Sequence, residues 1–147
     1  VLFVGGGERK GISKVEDFAT RVDYTVRVVG GNQLSGENIK STGRVNQEEL
    51  AKLYSGAIAT IHPARFEAFG NVILESLSCG TPVVISDQCG AAEIIGQSCG
   101  VVTTDIKSGV EKVEGSDIDD CVRIAKNYTW EKVSEQTESL VRDVVES

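Results

Sequence analysis

Short apolar strands alternating with amphipathic helices predict an α/β fold. The expected architecture is a Rossmann-like, doubly wound parallel sheet of about six strands with closing helices at the C-terminal end. Three observations carry this expectation. The apolar runs are short and end at glycine, proline or serine, and segments with helical spacing lie between them. At 147 residues the chain has room for one domain with its own core. Hydrophobic residues make up 40% and charged residues 25%, which is ordinary for a folded domain. No apolar run approaches the roughly 18–20 residues of a membrane span, and no leader pattern is visible.

The elements follow in order. VLFVGG reads as a buried strand ending in a glycine turn. In GISKVEDFATRV, Ile12, Val15, Phe18, Ala19 and Val22 recur at helical spacing. YTVRVVGG is a second strand stopped by Gly30 and Gly31, and NIKSTG is a more polar third strand. NQEELAKLYSG is a helix whose Asn46 and Glu49 form the N-x-x-E pattern that satisfies amides at a helix start. AIATIHP is a strand closed by Pro63, and FGNVILESLSCG is a helix ended by Gly80. TPVVIS is a strand, AAEII a short helix and CGVVTT the last strand. DIKSGVEKVEG reads as a polar loop or hairpin, before closing helices in SDIDDCVRIAKN and TWEKVSEQTESLVRDVVES. The helices supply the crossovers that parallel strands need. The expected organisation is one domain over 1–147, with a sheet core at 1–104 and a closing helical segment at 105–147.

Charge narrows the partners. The net charge of −7 argues against a nucleic-acid binder, which would present a basic face. Residues 1–75 hold nine basic and nine acidic side chains, whereas residues 76–147 hold six and thirteen. An anionic ligand is therefore expected on the first half. A chain that opens at Val1 inside a strand and contains no Met is expected to be a piece of a longer protein. Its four cysteines, Cys79, Cys89, Cys99 and Cys121, form no CxxC pair. Reduced, buried thiols are expected, rather than a metal site or a disulfide framework.

In doubly wound sheets, ligands bind beyond the carboxyl ends of the strands. The loop after the first strand, GGGERKG, lets backbone approach an anion and offers Arg9 and Lys10 as cations. Lys10 occupies the position where GxGxxG needs its last glycine, and it precedes Gly11 where a P-loop needs Gly-Lys. The loop HPARFEAFG leads into a helix, and Glu67 and Glu75 stand with seven residues between them. Amides at Gly70–Asn71 could receive a diphosphate while each carboxylate accepts bonds from hydroxyls on either side. Spacing alone leaves open a capping glutamate and a solvent-facing one. His62, the single histidine, precedes Pro63 with no serine elbow in the chain, so a structural or sugar-contacting role is expected. Asp117 and Asp119 spell DxD, but at a predicted helix start, where capping accounts for them; no metal site is expected.

FEAFGNVILESLSCGTPVV resembles the E-x7-E segment of the retaining GT-B glycosyltransferases of family 4, also called group 1. VLFVGGGERKG is similar to that family's first strand and Lys-Gly diphosphate loop, and TGRVNQEELAKLYSGAIATIHPARFE to the stretch leading into the motif. AAEIIG, CGVVTT and YTWEKVSEQTESL resemble the later loop, the last strand and the closing helix. The resemblance implies one half of a GT-B architecture, the C-terminal donor-binding domain, with an acceptor domain N-terminal to it. It implies that Lys10 contacts the donor diphosphate and Glu67 holds hydroxyls of the transferred sugar. Phe69, Gly70 and Asn71 would contact sugar and phosphate, with Arg9 and His62 beside them. Glu75 would bind the ribose hydroxyls, and Arg44 and Val45 would grip the base. Where the family often carries an Arg after the first glycine, this chain has Gly6.

The function so implied is transfer of a hexose from a UDP- or GDP-sugar to an acceptor hydroxyl, with retention and without a metal or other cofactor. The isolated piece would be inactive. The acceptor would be a glycan, lipid or small molecule reached through the missing half. The alternatives are a catalytically silent nucleotide-sugar-binding module and a GT-B nucleotide-sugar epimerase. A cytoplasmic location is expected, with peripheral membrane contact through the missing half left open.

Overall fold

The computed structural model describes residues 1–31 and 33–146. The predicted strands form one sheet: β1 (Leu2–Val4), β2 (Val26–Val29), β3 (Ile39–Gly43), β4 (Thr60–His62), β5 (Val83–Ile85) and β6 (Gly100–Val102). All neighbours pair in parallel, in the order β3-β2-β1-β4-β5-β6. The order reverses between β1 and β4, which opens a crevice at their carboxyl ends.

Alternation along the strands sorts the helices into two layers. Phe3, Val26, Val28, Ile61 and Val84 face a core shared with α1 (Ile12–Ala19) and α4 (Ile106–Val113). Leu2 and Val29 share a cluster with Tyr54 of α2 (Gln47–Ser55). On the same side, Val83 and Ile85 pack with Ile73 and Leu77 of α3 (Asn71–Ser78) and Cys121 of α5 (Ile118–Ala125). The predicted cap forms at α2, where Asn46 Oδ1 accepts the Glu49 amide at 2.9 Å. Asp117 caps α5 by accepting the Asp119 amide at 2.8 Å, so the DxD acids serve a helix start.

The stretch read as a polar loop or hairpin is instead α4. Asp105 starts it by accepting the Ser108 amide at 3.2 Å. Ile106, Gly109, Val110 and Val113 then form a buried stripe against the sheet. The polar composition of this segment is that of the solvent face of an amphipathic helix. Gly109 is a contact surface here, because a Cβ would overlap Val84 Cγ1 and meet Thr103 Cγ2 at 2.9 Å. The short helix expected at AAEII is a single 3-10 turn over Gly90–Ile94.

The last helix, α6 (Trp130–Glu146), leaves Trp130, Leu140, Val141, Val144 and Val145 exposed. All four cysteines are free; Cys89, Cys99 and Cys121 are buried and Cys79 is half-buried. Burial raises the pKa of each thiol, that of Cys121 to about 11, so they stand as protonated core residues. Among the described residues no helix is long and apolar enough to cross a membrane.

Candidate functional site at the strand-order switch

The loops after β1 and β4 are laced together. After β1 the chain makes a 3-10 turn over Glu8–Lys10, and Gly11 ends it at φ 83°, ψ 33°. A Cβ at Gly11 would overlap the Pro63 carbonyl oxygen, so only glycine lets the two loops lie this close. The Arg65 amide donates to the Arg9 carbonyl at 2.8 Å, closing the same contact from the other side.

This closure brings two basic side chains, Lys10 and His62, onto one carboxylate oxygen of Glu67. Lys10 Nζ lies 3.5 Å from Glu67 Oε2, and His62 Nε2 lies 3.5 Å from the same atom. These separations give electrostatic attraction without well-made hydrogen bonds. His62 Nδ1, His62 Nε2 and Glu67 Oε2 are all buried and lack hydrogen-bond partners. Leaving such atoms unpaired costs on the order of 1–3 kcal/mol each. The Glu67 side chain is 12% exposed and that of Lys10 26%, so both remain reachable. Burial first, and then the Lys10 cation, lower the His62 pKa below 6.5, against the pull of Glu67. The imidazole is therefore neutral near pH 7.

The backbone of Glu67 is fixed by the loop after β5. Its amide donates to the Gln88 carbonyl at 3.0 Å and its carbonyl accepts the Gly90 amide at 2.9 Å. Ser86 Oγ donates to the Ala64 carbonyl at 2.6 Å, tying the same two loops once more. The Phe69 carbonyl is occupied internally, accepting Cys89 Sγ at 2.9 Å and the Ala91 amide at 3.2 Å, and its ring packs on the Ile73–Leu77 cluster. Gly70, at φ 94°, begins α3 and has no side chain with which to cap it. The first amides of α3, at Asn71 and Val72, thus have no intrahelical acceptor and sit at the positive end of the helix.

Glu75 lies one turn further along α3 and is exposed. Its Oε2 accepts the Tyr54 hydroxyl at 2.9 Å. The sequence reading did not single out Tyr54. The available signal was an aromatic hydroxyl on the apolar face of a helix, which needs a partner once buried. Arg44 and Val45 follow β3, two strands from β1. Arg44 is exposed, while the Val45 side chain packs on the Leu2–Val29–Tyr54 cluster. Arg9 is exposed beside Lys10. The structure therefore brings Lys10, His62 and Glu67 together, strings Gly70, Asn71 and Glu75 along the neighbouring helix, and sets Arg44 and Val45 apart.

Comparison with known proteins bears on this arrangement. Residues 23–114 match the family model described as "Glycosyl transferases group 1". The chain is 31% identical over 128 residues to D-inositol 3-phosphate glycosyltransferase of Streptosporangium roseum, covering 87% of this chain and 26% of that one. It is 45% identical over 49 residues to O-antigen chain mannosyltransferase B of Escherichia coli, covering 33% of this chain and 13% of that protein. Among solved structures, sucrose-phosphate synthase from Thermosynechococcus elongatus superposes with a TM-score of 0.80 at 22% identity, over 98% of this chain and 45% of that one. The Anabaena protein HepE, solved in complex with UDP-glucose, superposes with a TM-score of 0.75 at 17% identity, over 97% of this chain and 48% of its own. The chain thus spans about half the length of these structures and less of the curated relatives.

Proposed function

The chain belongs to the group 1 glycosyl transferases, and on that premise we propose that it is the C-terminal, donor-binding half of a retaining GT-B hexosyltransferase of family 4. The donor is a UDP- or GDP-sugar. The observation that carries this reading is the Lys10–Glu67 contact of 3.5 Å at the strand-order switch, beside the open first turn of α3. A cation and a carboxylate side by side suit a ligand with an anionic diphosphate next to sugar hydroxyls. The complexes of HepE with UDP and with UDP-glucose support the same ligand class.

In this reading Lys10, assisted by Arg9 and the amides of Asn71 and Val72, stabilises charge that grows on the departing diphosphate. No metal is called for in that role. Glu67 accepts hydroxyls of the transferred sugar and orients it, and His62, neutral and unpaired, adds a donor or acceptor at the same place. Gly70 and Phe69 contact the sugar at the turn into α3. Glu75 receives the ribose, and the Arg44–Val45 backbone flanks the base. The acceptor is bound by the other half of a longer protein, which works in the cytoplasm.

Calorimetric titration of the full-length protein with UDP, GDP and their hexose conjugates tests this reading. Lys10→Met is expected to weaken nucleotide and nucleotide-sugar alike, by tenfold or more, since bonds to charged groups contribute about 1.5–3 kcal/mol. Glu67→Gln is expected to weaken only the sugar conjugates. Wild-type affinity for diphosphates in Lys10→Met would refute the assignment. A second reading, a binding module without turnover, rests on Gly6 standing where the family often has an arginine. Hexose transfer by the full-length protein would exclude it.

A further inference from the structure

Resting on the reading of Glu75 as the ribose contact, we propose that Tyr54 is a positioning residue for nucleotide recognition. Its hydroxyl fixes the Glu75 carboxylate in the orientation that receives the ribose hydroxyls of a ribonucleoside diphosphate.

Tyr54 belongs to the last turn of α2 and is 2% exposed, among the largest fully buried side chains of the molecule. Its hydroxyl donates to an exposed carboxylate on a different helix, at 2.9 Å. The residue is held at its other end too, because Thr81 Oγ1 donates to the Tyr54 carbonyl at 2.6 Å. The Thr81 carbonyl in turn lies 2.9 Å from Ser76 Oγ, which is 2.7 Å from Thr60 Oγ1. Thr60, Ser76 and Thr81 are all buried. A chain of hydrogen bonds therefore runs from β4 through α3 to the Tyr54 backbone, while the phenol at the far end of the side chain meets Glu75. Two residues along β4 from Thr60, on the same face of the strand, His62 approaches Glu67.

A glutamate exposed on a helix samples several rotamers and loses that freedom when a ligand binds. The Tyr54 bond removes most of that freedom beforehand. It uses one lone pair of Oε2, and the remaining lone pairs of a carboxylate can accept two vicinal hydroxyls. Burial first, and then the Glu75 charge, raise the phenol pKa far above its ordinary value, so the group always donates.

The test compares, in the full-length protein, the affinities of UDP and GDP with those of their 2′,3′-dideoxy counterparts. The preference for the ribose form is a ratio within one variant and does not depend on the fraction folded. The wild type is expected to prefer the ribose form of the nucleotide it binds, and Glu75→Ala to abolish the preference. Tyr54→Phe, which removes only the hydroxyl, is expected to reduce it about three- to tenfold. Loss of the preference in Glu75→Ala but full retention in Tyr54→Phe would overturn the positioning role alone and leave a phenol that is merely satisfied. A preference that survives Glu75→Ala, or no binding of either nucleotide, would overturn the ribose reading and this inference with it.

Discussion

Gly11→Ala probes the closure on which the candidate site depends. Two costs are readable from the structure. At φ 83°, ψ 33° the backbone is left-handed, which costs a residue with a Cβ roughly 1–2 kcal/mol. The new methyl would also overlap the Pro63 carbonyl oxygen, with Pro63 C at 2.9 Å and Pro63 Cγ at 3.1 Å. Backbone on both sides cannot rotate out of the way, so the loops must part, at a cost comparable to overpacking a core, about 1–3 kcal/mol. The sum, about 2–5 kcal/mol, corresponds to a fall in Tm of roughly 5–15 °C for a chain of this size. Parting the loops also lengthens the Lys10–Glu67 separation, so nucleotide-sugar affinity should fall even in the folded fraction. Gly115→Ala is the matched control, since Gly115 has the same φ of 83° and a Cβ there meets nothing within 4 Å. It should show only the conformational cost and no change in affinity. Urea denaturation and calorimetry on both variants provide the readouts. If Gly11→Ala costs no more than Gly115→Ala and binds ligand normally, the close approach of the two loops does not maintain the site.

Two further outcomes are expected. The folded-state pKa of His62 is lowered, so as pH falls below 6.5 the unfolded chain takes up a proton before the folded one does, and stability is lost over that window. Because His62 is the only histidine, urea melts at pH 7.5 and 5.5 should show a drop that shrinks in His62→Gln; an equal drop in both would count against a neutral buried imidazole. Alanine for glycine inside a helix ordinarily stabilises it by about 1 kcal/mol, yet Gly109→Ala should destabilise the protein because Val84 and Thr103 occupy the space. A raised Tm would show that α4 can shift off β5 at little cost.

Most of the sheet was legible because its strands, the polar β3 apart, are apolar runs that end near glycine, proline or serine, and because α1, α2, α3 and α5 carry a burial stripe or a cap in plain spacing. The α4 segment reads as a polar loop because most of its residues belong to the solvent face of the helix. Its glycine gives no sign in the sequence of a packing role, which only the neighbouring Val84 and Thr103 reveal. The site divides in the same way. Lys10, Glu67 and Glu75 could be named because loops after parallel strands face one edge, and because the segment resembles a known motif. That His62 and Lys10 reach the same carboxylate oxygen depends on how closely two loops approach, which no spacing encodes. Tyr54 stayed hidden since its partner is 21 residues away, on another helix.

The cross-bonding of the three loops at the crevice constrains how this chain can change. Arg65 is tied to Arg9, and Glu67 to Gln88 and Gly90, through backbone atoms, and the Ser86 hydroxyl ties to the Ala64 carbonyl. One residue inserted after Pro63 would slide each of these pairings out of step together. Ligand preference in such a framework is free to drift by exchanging side chains at Arg9, Asn71 or Arg44, whereas loop length stays frozen.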